Sequence, residues 1–208
     1  RDFPADDDHR NDGVSPADIG VFYRVNALSR QVEEAFVRAR IPYAVFGGLR
    51  FYERREIKDV IAYLRLIVNP RDTEALKRVI NTPVRGIGEK SLSALVDYAE
   101  FAGLPALAAI PEALKAKVLK GKAAVGAAEF LSVMGQLKTL AGTVDLAELI
   151  EQTARLSGLK EALKAEIDGQ DRLTNIRELA VSAEGVHDLE RWLEEKALMN
   201  PVDDEPGE

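Results

Sequence analysis

The apolar positions of the chain follow two different periods. Short runs of β-branched and aromatic residues at 19–23 and 42–46 predict two buried strands. Between them, apolar residues at helical spacing predict a helix that begins near Ser29. The apolar face of that helix carries Val32, Ala35, Phe36 and Ala39. A strand, a helix and a second strand in this order predict an α/β unit with a parallel sheet.

From Glu56 onward, apolar residues recur every three or four positions, which predicts only helices. Between Glu56 and Gly103 three helices are predicted, separated by Asn69–Pro70 and Thr82–Pro83. Further helices are predicted over 113–120, 122–140, 145–157, 158–168, 171–185 and 187–198. The pattern therefore predicts a mainly α chain in which a partial α/β unit gives way, near 105–117, to an all-helical region.

Composition excludes several kinds of site. The 208 residues include no cysteine and only two histidines, so a disulfide, a thiolate zinc site and a cysteine nucleophile are excluded and a metal site is not expected. No apolar run approaches the roughly 20 residues of a membrane-spanning helix. The formal net charge is −7, but residues 1–20 and 201–208 each carry a net −4, whereas residues 21–90 carry +6. A partner that carries phosphate is therefore compatible with the charge of the chain.

Arg24 directly follows the first predicted strand. Ligands of α/β sheets bind at the carboxyl ends of strands, where a guanidinium is able to hold a phosphate. The alternative is a surface arginine paired with a carboxylate.

The stretch from Gly47 to Asp59 interleaves two adjacent aromatic residues with cations. If Phe51 and Tyr52 stack on bases, the cations follow a nucleic-acid backbone. Alternatively, both rings pack inward at a solvated helix start, and the composition leaves the two interpretations open. The cations are Arg50, Arg54, Arg55 and Lys58.

The sequence Gly86-Ile87-Gly88 predicts a tight turn between two helices, typical of a helix-hairpin-helix. The glycines let backbone N–H groups approach a phosphate at a helix N-terminus, and Arg85 and Lys90 add positive charge. The alternative is a plain turn.

A weaker version of this pattern lies at Lys120-Gly121-Lys122. With Lys115 and Lys117, four lysines crowd one predicted helix junction. On the pattern alone, a solvated basic face explains these lysines better than a phosphate site does.

Together these stretches resemble the UvrD/PcrA/Rep family of superfamily-one DNA helicases. The similarity is dense over 19–100 and looser but collinear beyond it. The motifs that carry it are Tyr23-Arg24-x-Asn26-Ala27-x-Ser29-Arg30, Gly47 to Asp59, Ala62 to Arg65, Asn81 to Gly88, Leu119 to Ala128 and Asp171 to Ile176.

The resemblance implies an internal part of a motor protein. Residues 1–18 would be an acidic lead-in, 19–115 the first half of the RecA-like motor domain 2A, 116–200 the helical DNA-binding domain 2B, and 201–208 an acidic tail. The P-loop, domains 1A and 1B and the rest of 2A would lie outside this chain. The ATP and Mg²⁺ of the parent helicase would therefore have no complete site here, and the fragment alone would be inactive.

The resemblance also implies residue roles. Arg24 would be the motif IV arginine finger on the γ-phosphate of ATP, and Tyr23 would pack against the adenine and sugar. Contacts to DNA phosphates are implied for Arg85, Gly86, Ile87, Gly88, Lys90, Lys120, Gly121 and Lys122. Arg172 and Asn175 would do likewise, although a buried helix–helix contact explains them as well.

The function that follows is a part of an ATP-dependent 3′-to-5′ DNA helicase of DNA repair, located in the bacterial cytosol with the nucleoid. Its partners would be a junction of single-stranded and duplex DNA and the missing helicase domains, with no membrane. Self-association through the incomplete 2A sheet is also expected, because an open sheet exposes its edge. Two alternatives are a stand-alone helix-hairpin-helix module that binds duplex DNA and a bundle that binds only other proteins.

Overall fold

Ten α-helices make up most of the regular structure that the computed structural model shows for residues 15, 18–46 and 48–198. Short 3-10 turns at Asn26–Leu28 and Phe51–Glu53 precede the first two helices. The helices are α1 (Ser29–Ala39), α2 (Arg55–Val68), α3 (Thr73–Val79), α4 (Glu89–Ala102), α5 (Ala106–Lys115), α6 (Gly121–Leu140), α7 (Leu146–Leu156), α8 (Leu159–Lys164), α9 (Gly169–Val181) and α10 (Leu189–Leu198). The mainly α class predicted from the sequence is confirmed.

Helix α2 lies at the centre of the packing. Its stripe of Ile57, Val60 and Leu64 is fully buried, and the helix contacts α3, α6, α7, α9 and α10. These helices share one apolar core that extends from Phe51 to Trp192. We call residues 51–198 the helical body. Its core is continuous across residue 115, so the domain boundary predicted there does not coincide with a break in packing.

The two predicted strands are not strands in the structure. Residues 19–23 and 42–46 adopt irregular conformations, and no residue in the described ranges is in a strand. A strand needs a hydrogen-bonded neighbour, and these two segments form no ladder with each other. Their apolar side chains are therefore left in solvent, with Phe22 96% and Phe46 92% exposed. The predicted RecA-like α/β unit is not formed by the residues that the structure describes.

Helix α1 buries its polar face. Arg30, Glu33 and Glu34 are buried against the helical body. The predicted apolar face points away, because Ala35 and Ala39 are exposed and Val32 and Phe36 are only half-buried. Ionic and hydrogen-bonding contacts, rather than apolar ones, therefore attach α1 to the helical body.

Helix α5 lies earlier than predicted, over Ala106–Lys115 instead of 113–120, and it contains Pro111. A proline inside a helix removes one backbone hydrogen bond and usually ends the helix. Here Ala109, Ile110 and Ala113 are completely buried, so the apolar contacts of this face offset the missing bond.

No single helix in the described part of the chain is both long and apolar enough to cross a membrane. Helices α4 and α5 satisfy the length and composition criteria only as a pair, bent by 99°. Within the same residues, no group of three or more acidic, histidine or cysteine side chains is arranged to hold a metal ion.

Candidate nucleic-acid interface

The predicted turn at residues 83–88 is held in shape by Asn81. The side-chain Oδ1 of Asn81 accepts hydrogen bonds from the backbone N–H of Arg85 at 2.8 Å and of Ile87 at 3.1 Å. Ile87 is buried and anchors the turn, while Gly86 has a φ of +76°, a conformation that favours glycine. The turn leads directly into α4 through Gly88, and no side chain caps the start of that helix.

The second predicted turn leads into α6 in the same way. Gly121 has a φ of +55°, and the residue before it, Lys120, makes no side-chain cap. The first N–H groups of a helix have no acceptor inside the helix. Both α4 and α6 therefore begin with uncapped N-termini, which attract anions.

The fold brings these two turns together. A Cβ placed on Gly126 of α6 would lie only 2.0 Å from the carbonyl oxygen of Arg85. A Cβ placed on Gly86 would lie 2.9 Å from the Cβ of Lys122. The 83–88 turn therefore packs directly on the first part of α6, and predicted site residues from two parts of the sequence form one surface.

An open groove of about 560 Å³ lies where the turn meets α6. It is lined by Arg85, Gly86, Gly121, Lys122, Val125, Gly126 and Glu129. We call this groove the glycine groove.

The lysines predicted at these turns are exposed. Lys90, Lys120 and Lys122 all reach solvent, and within the described ranges none of them forms an ion pair with a carboxylate. Lys115, by contrast, pairs with Glu112 at 2.8 Å. The charge of the three unpaired lysines is therefore available to an anion.

Arg85 is directed inward instead of toward a ligand. Its guanidinium donates to Tyr63 Oη at 2.9 Å and to the carbonyl oxygen of Ser157 at 2.7 Å. Three further carbonyl oxygens, of Val79, Ile80 and Pro83, accept at 3.2–3.3 Å. The guanidinium also lies 5.6 Å from the centre of the Phe130 ring. In this structure Arg85 supports the turn from inside, and its predicted phosphate contact is not available to the side chain.

Tyr63 completes this support. Burial raises the pKa of Tyr63 to about 12, so the hydroxyl keeps its proton and donates to the carbonyl oxygen of Thr82 at 2.8 Å. The hydroxyl thus connects α2, Arg85 and the beginning of the 83–88 turn.

Arg172 and Asn175 lie in a packed interface between α9 and the start of α2. Arg172 forms ion pairs with Asp168 at 2.9 Å and with Glu56 at 3.5 Å. Asn175 is buried and donates to Glu56 Oε1 at 2.7 Å. The structure therefore favours the helix–helix interpretation of both residues over the DNA contact.

The aromatic residues of the 47–59 stretch also point inward. Phe51 and Tyr52 are buried, and the Tyr52 hydroxyl donates to Glu34 Oε1 at 2.6 Å. Burial raises the pKa of Tyr52, and the neighbouring Glu34 raises it further. Neither ring is available to stack on a base, so the inward interpretation is confirmed.

Tyr23 and Arg24 lie on the irregular segment before α1. Arg24 is exposed and Tyr23 is half-buried. Within the described residues Arg24 forms no ion pair, which leaves its guanidinium open to a ligand.

Comparison with known proteins assigns the chain to a family. Residues 8–113 match the sequence profile of the UvrD-like helicase C-terminal domain, which is half of the chain. The chain belongs to the UvrD-like helicase family. It is 40% identical over 192 residues to ATP-dependent DNA helicase UvrD1 of Mycobacterium tuberculosis, a match that covers 90% of this chain and 24% of that protein.

Two further relatives carry helicase names. DNA helicase II of Escherichia coli is 37% identical over 175 residues, covering 83% of this chain and 24% of that protein. ATP-dependent DNA helicase PcrA of Leuconostoc citreum is 36% identical over 202 residues, covering 90% and 27% respectively. The chain therefore spans about a quarter of the length of these UvrD-like relatives.

Asn81 and Gly126 shape the site of this UvrD-like chain but were not predicted as site residues. Arg54 was predicted only as one of four cations that would follow a nucleic-acid backbone. A glycine within a helical pattern signals close approach of another backbone, so Gly126 carried a usable signal. Asn81 lies four residues before Arg85, and asparagine side chains commonly form hydrogen bonds with nearby backbone groups. Asn81 therefore also carried a local signal. The bonds of Arg54 reach residues 25 or more positions away, and no local pattern indicates them.

Proposed function

We propose that this chain is the part of an ATP-dependent 3′-to-5′ DNA helicase that holds duplex DNA through the glycine groove. The parent protein would act in DNA repair in the cytosol. Family membership supports the motor, and the packing of the 83–88 turn on the start of α6, beside unpaired lysines, supports the groove. That juxtaposition is the observation on which the proposal depends.

The chemistry of the groove suits a phosphate backbone. Backbone N–H groups at the start of α6 supply hydrogen-bond donors, and glycines at 86 and 121 leave room for a close approach. Lys120 and Lys122 add charge that is independent of base sequence. Glu129 lines the same groove, and its carboxylate limits how deeply a phosphate enters.

We also propose that residues 19–115 are the first half of motor domain 2A and residues 116–200 the DNA-binding domain 2B. The matched family profile ends at residue 113, close to this boundary. One apolar core runs from Phe51 to Trp192, so the two parts would pack against each other across the boundary.

Binding of DNA by the groove is tested by its dependence on salt. We expect Lys120→Gln and Lys122→Gln each to weaken binding of a duplex with a single-stranded tail, and each to reduce the slope of log affinity against log salt by about 1. Fluorescence anisotropy of labelled DNA measures both quantities. Lys164→Gln is the matched control, because Lys164 already pairs with Glu161 at 2.7 Å. Equal slopes for the groove variants and the control would refute the groove.

The segment with Tyr23 and Arg24 would face ATP. Arg24 would stabilise charge on the γ-phosphate, and Tyr23 would pack against the base. The chain contains no Gly-x-x-x-x-Gly-Lys-Ser/Thr sequence, so the phosphate loop and the Mg²⁺ site would come from the parent. The chain alone would not hydrolyse ATP.

The nucleotide role is tested in the full-length gene product. We expect Arg24→Ala to abolish DNA-stimulated ATP hydrolysis, because a finger stabilises the transition state, while affinity for DNA stays unchanged. Arg38→Ala, on the exposed side of α1, serves as the control. Normal turnover by Arg24→Ala would exclude the finger. No ATP hydrolysis by the unmodified full-length product would instead favour a DNA-binding module without a motor.

A further inference from the structure

One arginine joins the turn that follows Arg24 to the helical body. The guanidinium of Arg54 donates through one nitrogen to the carbonyl oxygen of Asn26 at 3.1 Å and to Ser29 Oγ at 2.7 Å. Its other terminal nitrogen donates to Asn175 Oδ1 on α9 at 2.8 Å. A planar, forked cation is thus bonded on both sides of the boundary between α1 and the helical body.

The body holds this guanidinium in one place. Its carbon lies 5.2 Å from the centre of the ring of Phe51, which is completely buried. Asn175, the acceptor on the body side, is fixed by its own bond to Glu56 at 2.7 Å. Desolvation lowers the pKa of Arg54, and the nearby carboxylates of Glu33 and Glu56 counter this effect.

Apolar burial does little to fix the residues on the other side, although the Asn26–Leu28 turn lies against α9 and Glu34 of α1 bonds to Tyr52. Within the described residues from 18 to 46, Ala27 is the one buried apolar side chain. The carbonyl oxygen of Asn26 also accepts the N–H of Ser29, where α1 begins. The Arg54 bonds therefore act on the short turn that separates Arg24 from α1.

We propose that Arg54 is a positioning residue that sets where Tyr23 and Arg24 stand relative to the helical body. This inference rests on the proposed role of those two residues at ATP. Arg54 touches neither ATP nor DNA in this proposal; it acts through the turn at Asn26–Leu28. On the side of the helical body, Asn175 accepts from Arg54 and donates to Glu56. Asn175 would therefore help to position Arg54.

The test uses the full-length gene product with Arg54→Lys, which keeps the charge and removes the fork. Arg55→Lys is the matched control, because Arg55 is the next residue and pairs at the surface with Glu166. Amide exchange by mass spectrometry is measured for peptides covering the turn and the glycine groove. ATP turnover, affinity for DNA and thermal stability are measured on the same samples.

We expect faster exchange confined to residues 24–30 in Arg54→Lys and a roughly 10-fold or larger fall in kcat, since small displacements at a reacting centre have effects of this size. Affinity for DNA should change less than about twofold, because DNA is bound by the glycine groove elsewhere on the body. If Arg54 only stabilises the fold, Arg54→Lys will instead raise amide exchange throughout the chain and lower ATP turnover and affinity for DNA together.

Three results overturn the inference in different ways. Unchanged exchange at residues 24–30 shows that Arg54 does not hold the turn. Faster exchange with unchanged kcat, while Arg24→Ala is inactive, shows that the position of the turn does not matter for turnover. Faster exchange with full activity of Arg24→Ala shows that the proposed nucleotide role is wrong. If Arg54→Lys does not fold, Ser29→Ala removes the shorter of the two Arg54 bonds to the turn side, leaves Arg54 in place and is judged by the same results.

Discussion

Replacing Gly126 by alanine tests the contact that builds the glycine groove. The added Cβ would lie 2.0 Å from the carbonyl oxygen of Arg85 and 2.8 Å from its Cβ. An ordinary carbon–oxygen contact is about 3.3 Å or longer, so α6 and the turn must separate by more than about 1 Å. Overpacking of this kind costs about 1–3 kcal/mol, and the clash with backbone places this site at the upper end. Alanine gains about 1 kcal/mol of helix propensity over glycine, which leaves a net loss of about 2 kcal/mol.

Gly135 supplies the control in the same helix. A Cβ at Gly135 would meet nothing within 4 Å, so Gly135→Ala keeps only the gain in helix propensity. For a chain of this size, about 1 kcal/mol shifts the Tm by roughly 2–4 °C. We therefore expect Gly126→Ala to unfold about 4–8 °C below the wild type and Gly135→Ala about 2–4 °C above it.

The unfolding can be followed by the fluorescence of Trp192. This residue is the single tryptophan of the chain and is 2% exposed, so its emission reports opening of the helical body. A Gly126→Ala protein that unfolds at or above the wild-type Tm would refute the close approach of α6 to the turn. An unchanged Tm for Gly135→Ala would show instead that the propensity term is overestimated.

Three smaller changes test other contacts. Tyr63→Phe should lower the free energy of unfolding by about 1–2 kcal/mol in urea titrations, because the carbonyl of Thr82 loses its donor; no loss would contradict that bond. Asp145→Ala should cost about 1 kcal/mol in the same assay, because the side chain caps α7 by accepting from Glu148 N–H. Burial raises the pKa of Glu34, but the hydrogen bond from Tyr52 and the charges of Lys196 and Arg30 outweigh this effect. The pKa of Glu34 is therefore held below its ordinary value of 4.5. The stability that Glu34 contributes is therefore present above that value and lost as the pH falls through the folded pKa, so Glu34→Gln and wild type should converge in acid.

The helices were predictable wherever the deciding information is local. Helix α2 follows from its apolar stripe, and α3 begins after Asp72, whose side chain accepts from Ala75 N–H at 2.9 Å. The bounds of α6 and α7 came within a residue or two of the prediction, because glycine and aspartate mark their starts.

The failures lie where distant residues decide the conformation. The 19–23 and 42–46 segments have the composition of strands, but composition does not provide a neighbour to pair with. Helix α5 continues through Pro111 because its apolar face packs against the rest of the core, which a pattern of single residues does not show.

The candidate site divides in the same way. Each glycine turn was predictable from its own spacing, since a left-handed glycine before a helix has a local signature. Their meeting depends on Gly126 and on the inward direction of Arg85, whose acceptors include Ser157, 72 residues away. Spacing alone therefore assigned Arg85 to a phosphate when the fold uses it as a support.

The two candidate sites are held by different physics, and this has a consequence for function. The walls of the glycine groove are anchored in the apolar core through Ile87, Ala123 and Ala127. The strength of such apolar contacts grows with buried area and changes little with salt. The turn after Arg24 depends on Arg54 and on the ion pairs of Arg30 with Glu178 and of Lys196 with Glu34, at 3.3–3.4 Å. A polar interface with directional bonds has few intermediate arrangements: when its geometry is lost, its bonds are lost together. The turn that would face the nucleotide is therefore expected to respond to displacement of the helical body as a unit, while the groove that would hold DNA stays intact.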